Sequence, residues 1–154
     1  MVAGVLLSNP VAAEDAGIEA LRQFGLVGRW TIDCTKPLSS LNPEQVYAVG
    51  EKGPTRTLRI ADQDLDGTFE MRGARLIGDS QFAYTDVRIG SDISFDVILE
   101  KSGGRVWSAS SVRNDGTVMI QDSKFAGSDR HTPTFEKCPE SGPADPQSPP
   151  AKSS

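Results

Sequence analysis

Three aspartates at alternate positions, Asp62, Asp64 and Asp66, run straight into Gly67, the one stretch whose spacing suggests a metal. In calcium loops a D-x-D-x-D-G pattern aims oxygens at a single Ca²⁺ while the glycine permits a tight turn. The second half departs from that pattern. Gly73 stands where the bidentate glutamate is expected, although Glu70 offers an oxygen, and the flanks read as strands rather than helices. An acidic hairpin turn nucleated by Asp66-Gly67 accounts for the same residues. Ca²⁺ stays an open reading, with the turn the better fit. Between Lys52 and Lys101 every basic residue is arginine: Arg56, Arg59, Arg72, Arg75 and Arg88. Such a cluster suits bidentate capture of carboxylate or phosphate. Acids are interleaved through the same stretch, so cross-strand pairing on solvated faces is expected instead. His131 is the sole histidine and has no poised partner if both cysteines are oxidised. No nucleophile-elbow serine, phosphate-cradling glycine loop or His/Cys metal spacing occurs. The chain reads as a non-enzyme.

The elements that must hold these residues are mostly strands. The two cysteines, Cys34 and Cys138, close the first strand-like run, Leu26 to Cys34, and the last, His131 to Cys138. In a sheet that curls shut, the first and last strands become neighbours, and a bond between their ends staples the closure. Further runs are Gln45 to Gly50, Thr55 to Ala61, Gly67 to Arg72, Gln81 to Ile89, Ser91 to Lys101, Gly104 to Arg113 and Thr117 to Asp122. In the clearest of them Ile93, Phe95, Val97 and Leu99 form one apolar face opposite a largely polar one. Asp66-Gly67, Ser102-Gly103-Gly104 and Asn114-Asp115-Gly116 supply turn residues that accept positive φ. Between Tyr84 and Val87 the apolar parity slips, which predicts a β-bulge or bend near Thr85-Asp86. One helix is expected, Asp15 to Gly25: Ile18, Leu21 and Leu26, with Phe24 nearby, make an apolar stripe, Asp15 caps it and Gly25 stops it. The expected fold is all-β, an antiparallel up-and-down barrel of about eight strands with a short N-terminal helix and one disulfide. An immunoglobulin-like sandwich is disfavoured, because its closely spaced cysteines flanking a tryptophan are absent.

The chain of 154 residues has room for one such domain. Sixteen Lys+Arg against 21 Asp+Glu leave a net charge of -5, and no window concentrates basic residues, so nucleic acid is a poor partner. Residues 1–13 read as the remnant of a signal peptide: Val2 to Leu7 is apolar, Pro10 can break a helix, and Val11-Ala12-Ala13 resembles a cleavage site before Glu14. No Lys or Arg precedes the apolar run. The barrel with its helix occupies 14–138, and 139–154 reads as a disordered Pro/Ser-rich tail. No run approaches the roughly 18 apolar residues of a membrane helix. A periplasmic or secreted protein is expected, an oxidising setting that suits the disulfide.

Gly28-Arg29-Trp30, reached from a short helix and opening the first strand, resembles the G-x-W start of lipocalin-like (calycin) small β-barrels of exported bacterial proteins. The resemblance implies that Trp30 packs at the closed end of the barrel, beneath the helix. It also implies binding, since an eight-stranded barrel can hold one small ligand. An apolar or amphipathic molecule would meet residues on the apolar parity: Tyr47, Phe69, Phe82, Tyr84, Phe95 and Met119, with Val97 and Val106 beside them. The alternative is that these residues fill the core. The chain would then be a protein-interaction module similar to periplasmic protease inhibitors, binding its partner through a terminus or rim loop, and an apolar patch at the rim would mark it.

Overall fold

In the computed structural model, which describes residues 10–61 and 66–139, the period of the apolar residues changes from helical to alternating just past Gly25. Helix α1 spans Pro10–Phe24. Pro10 starts this helix and does not break it, because a missing N–H and a fixed φ suit the first turn. Asp15, expected as the cap, therefore lies inside the helix. The other end is as expected. Gly25 adopts a φ of 77°, and the amides of Gly25 and Leu26 bond back to the carbonyls of Arg22 and Leu21 at 2.9 and 3.1 Å. This bond pair around a left-handed glycine is how many helices close.

Among the described residues ten strands follow: β1 (Gly28–Thr31), β2 (Glu44–Gly50), β3 (Gly53–Arg59), β4 (Gly67–Ile77), β5 (Gln81–Arg88), β6 (Ser94–Ser102), β7 (Arg105–Arg113), β8 (Val118–Gln121), β9 (Lys124–Phe125) and β10 (Phe135–Lys137). Strands β1 to β7 pair antiparallel in chain order, and β10 then pairs with both β7 and β1. The result is a closed eight-stranded antiparallel barrel, with β1 to β7 and β10 as staves. Phe135↔Val106 sets the register on one side of β10 and Trp30↔Lys137 on the other. Thr117 to Asp122 is not a stave. β7 is longer than β10, so its lower part pairs with β10 while Ser111 and Val112 pair with β8. β8 and β9 form a hairpin flap on the upper part of β7, a division of one strand between two partners that no local pattern announces.

The disulfide joins Cys34 to Cys138, with Cα atoms 5.4 Å apart, just beyond the β1–β10 pairing. It locks the first stave to the last. Helix α1 plugs the end from which β1 starts. Leu21 and Leu26 are fully buried there, worth about 1.5–3 kcal/mol each. Phe24 meets the fully buried Phe82 at 5.3 Å between ring centroids. Trp30 is buried among the same core residues and donates its indole N–H to the Leu26 carbonyl at 2.8 Å. Lys101 and Lys137 donate to the carbonyls of Phe24 and Gly25, where cations suit the negative end of the helix dipole.

The parity slip in β5 has a different cause from the one expected. Its pairing with β6 runs unbroken from Gln81 to Val87, so Phe82, Tyr84 and Asp86 all face inward and Val87 faces out. The bulge lies on β4, between Arg72 and Arg75. An inward-facing charge, not a kink, interrupts the apolar alternation. Residues 1–9 and 140–154 lie outside the described residues, and with them most of the expected leader and the tail.

Candidate functional site

Alternation along the staves sends every second side chain inward, and the inward set changes character along the barrel axis. Near α1 the inward side chains Trp30, Phe82 and Leu99 pack in one core cluster, and beside them Phe24, Trp30 and the turn from Lys101 to Val106 line an open pocket of about 460 Å³. Midway, Tyr47, Val106 and Phe135 border a void of about 10 Å³. Toward the far end the staves stop filling the interior and a cavity of about 460 Å³ opens to the mouth. Phe69, Tyr84, Phe95 and Phe135 supply its aromatic surface, and Met119 and Phe125 of the flap cover one side. This volume lies within the roughly 300–1,000 Å³ of small-molecule pockets, which are mostly apolar with a few convergent polar groups.

The charged and amide groups come from three staves, Gln45 on β2, Arg56 on β3 and Asp86 on β5, and β7 adds Ser108 and Ser111. Arg56 on β3 reaches over the strand between it and Asp86 on β5, its guanidinium 4.3 Å from the centroid of the Phe69 ring. Its Nε donates to Asp86 Oδ1 at 3.3 Å and its Nη2 to Oδ2 at 2.6 Å. Its Nη1 donates to Gln45 Oε1 at 3.1 Å, and that oxygen also accepts the Tyr47 hydroxyl at 3.0 Å. The two charged side chains are only 12% and 5% exposed. A lone charge so buried would be costly; paired and hydrogen-bonded it is tolerated. Burial holds the Asp86 carboxyl above the usual carboxylate range, with Arg56 pulling the other way. Burial also pushes the Tyr47 phenol up to about 12 and Tyr84 well above its ordinary value. Among the described residues, no buried side-chain nitrogen or oxygen lacks a partner.

The flap is tied down rather than loose. Thr132 Oγ1 donates to the Ser108 carbonyl at 2.7 Å and its amide to the Ser123 carbonyl at 2.9 Å. Trp107 donates its indole N–H to Ser123 Oγ at 3.0 Å. The loop from β1 to β2 is organised by buried Asn42, whose side-chain amide donates to the carbonyls of Asp33, Lys36 and Pro37 and whose Oδ1 accepts the Asp33 amide.

Of the expected lining residues, Phe69, Tyr84, Phe95, Val97 and Met119 border the cavity. Phe82 does not: the helix end holds it between Phe24 and Tyr84. Tyr47 and Val106 border the small void beneath, and Val106 also lines the pocket beside α1. Arg56 is not on a solvated face, whereas Arg59 pairs across strands with Glu44 and Arg72 pairs with Glu70 on its own strand. Asp62 and Asp64 lie outside the described residues. Asp66 Oδ1 accepts the Ile60 amide at 2.6 Å, closing the turn between β3 and β4. Among the described residues, no group of three His, Cys, Asp or Glu side chains is disposed to hold a metal. His131 bonds the Thr132 carbonyl through Nδ1 and packs its ring against Trp107 at the flap base.

Sequence reasoning missed Gln45, Asp86, Ser108, Ser111 and Phe125 as lining residues. A usable signal existed for one of them. Asp86 shares the parity of Phe82 and Tyr84, and alternation alone places it inside. Comparison of the chain with protein-family models, curated proteins and solved structures finds no match. The site therefore stands on its geometry. Among the described residues, no helix is long and apolar enough to cross a membrane.

Proposed function

We propose that this protein is an exported, non-enzymatic binding protein, lipocalin-like in plan, that takes one small apolar or amphipathic molecule into the open half of its barrel. The observation that carries this reading is the 460 Å³ cavity inside the barrel, walled by inward-facing aromatic side chains of the staves: a barrel built only for stability would fill this half with side chains too. The aromatic lining supplies nonspecific affinity, and the Arg56–Asp86–Gln45 cluster supplies orientation. Export is supported by the disulfide, since such bonds persist in oxidising compartments.

The test uses N-phenylnaphthylamine, an uncharged fluorophore that brightens in apolar surroundings. It is expected to bind one per chain, and Val97→Trp, which fills the cavity from β6, is expected to abolish binding while the protein still melts cooperatively. Gentle ionisation of protein from its natural compartment is expected to show an added mass that disappears on denaturation. Failure of the reporter to bind would sink this reading.

A second reading is favoured by a separate observation. Loops at the open end expose Leu41, Ile89 and Ile93 at 88%, 59% and 47%, and exposed apolar residues collected at one end can mark a protein-docking rim. An interaction module similar to protease inhibitors would lose its partner when these three become serine, whereas reporter binding would be untouched.

A further inference from the structure

We propose that the cavity selects ligands with an uncharged hydrogen-bond-accepting head, such as an amide, ester, ketone or alcohol, and discriminates against carboxylates and phosphates. This rests on the binding function proposed above and names the ligand class for that same site.

The argument is a count of donors and charges. A guanidinium carries five N–H groups. In Arg56 one on Nε and one on Nη2 go to Asp86, and one on Nη1 goes to Gln45. One N–H on each terminal nitrogen is left over at the wall of the cavity. Across from them, β7 presents the Ser108 and Ser111 hydroxyls, which make no side-chain hydrogen bond with any described residue. A head with one or two acceptor lone pairs therefore finds unengaged donors on the walls of the space.

The charge of Arg56 is not available in the same way. Asp86 already neutralises it at 2.6 Å. A ligand carboxylate reaching the spare N–H groups would put two anions around one cation in a buried, low-dielectric site, where the second anion is uncompensated. An ammonium head fares no better, because Arg56 already neutralises Asp86 and a second cation would be uncompensated. Phe69 under the guanidinium blocks one face of it as well. The cluster thus offers donors without net charge, a device for reading a neutral polar group.

Three probes with one aromatic body separate the outcomes: naphthamide, naphthoate and methylnaphthalene, each displacing N-phenylnaphthylamine near neutral pH. The expected order is naphthamide tightest, at least about tenfold ahead of naphthoate and ahead of methylnaphthalene too. Asp86→Asn frees the Arg56 charge, and naphthoate is then expected to gain about tenfold or more while naphthamide changes little. The double substitution Arg56→Met with Asp86→Leu exchanges the pair for apolar groups, a change that proteins often tolerate. It is expected to keep reporter binding and erase the naphthamide advantage over methylnaphthalene, so the inference is testable even if Asp86→Asn does not fold. If methylnaphthalene or naphthoate equals naphthamide in the wild-type protein, the head-group inference is overturned and the carrier reading survives. If the reporter itself does not bind, both fall.

Discussion

At the scale of single residues, the interior polar cluster is the most consequential feature. The chain contains two tyrosines, and Tyr47 and Tyr84 are both buried and both held above the ordinary phenol pKa by that burial. A folded chain that keeps a proton which the unfolded chain releases loses stability as pH rises. Their contribution is complete below the unfolded value of 10.0 and is lost as pH climbs toward about 12 for Tyr47. The expected result of an alkaline titration is that phenolate absorbance stays flat above pH 10 while the protein is folded, then appears together with the loss of near-ultraviolet circular dichroism. Phenolate absorbance rising ahead of unfolding would show these hydroxyls to be hydrated and the cluster open. Alternation places Arg56 and Leu58 on one face of β3, and Tyr84 and Asp86 on one face of β5. That face assignment was legible. Pairing was not, because Arg56 and Asp86 belong to strands that are not neighbours and meet over an intervening aromatic ring.

At the scale of elements, α1 and the β8–β9 flap do opposite jobs. The helix seals its end with Leu21, Phe24 and Leu26, an amphipathic stripe that is visible in the sequence and too short to persist without the barrel beneath it. Leu21→Ala is expected to cost about 2–5 kcal/mol in denaturant unfolding, as for other fully buried leucines. Reporter binding at the far end should persist at denaturant-free conditions. A loss below 1 kcal/mol would mean that the helix is only loosely docked. The flap behaves differently in the sequence. Thr117 to Asp122 has an ordinary strand pattern, and its removal from the barrel wall follows from β7 offering its lower edge to β10. Strand pattern shows that a segment will pair; it does not show with which edge, since edges compete only once the barrel has closed.

At the scale of the whole molecule, closure dominates. The disulfide spans 104 positions, and in the chain-entropy account a loop of roughly this length adds about 4–5 kcal/mol by restricting the unfolded state. Reduction, or Cys34→Ser with Cys138→Ser, is expected to lower the unfolding free energy by that order while the barrel remains recognisable by circular dichroism. A change under about 1 kcal/mol would mean that the β1–β10 and β7–β10 ladders alone hold the barrel shut.

Much of this architecture is local information. Period-two alternation, glycine-bearing turns and a helical stripe ending at Gly25 are set by backbone sterics and by each segment's own amphipathicity, so they can be read one window at a time. Cysteines beside the first and last strands extend that reading to closure, because a covalent bond between chain ends admits few topologies. The cavity is of another kind. Whether an inward aromatic fills the core or borders empty space depends on how far α1 reaches up the axis and where the flap lies. The sequence marks Phe82 and Phe95 with the same inward parity, yet one is sealed beneath the helix end and the other faces the cavity. Volume is a sum over all eight staves at once, and no stretch of sequence contains that sum.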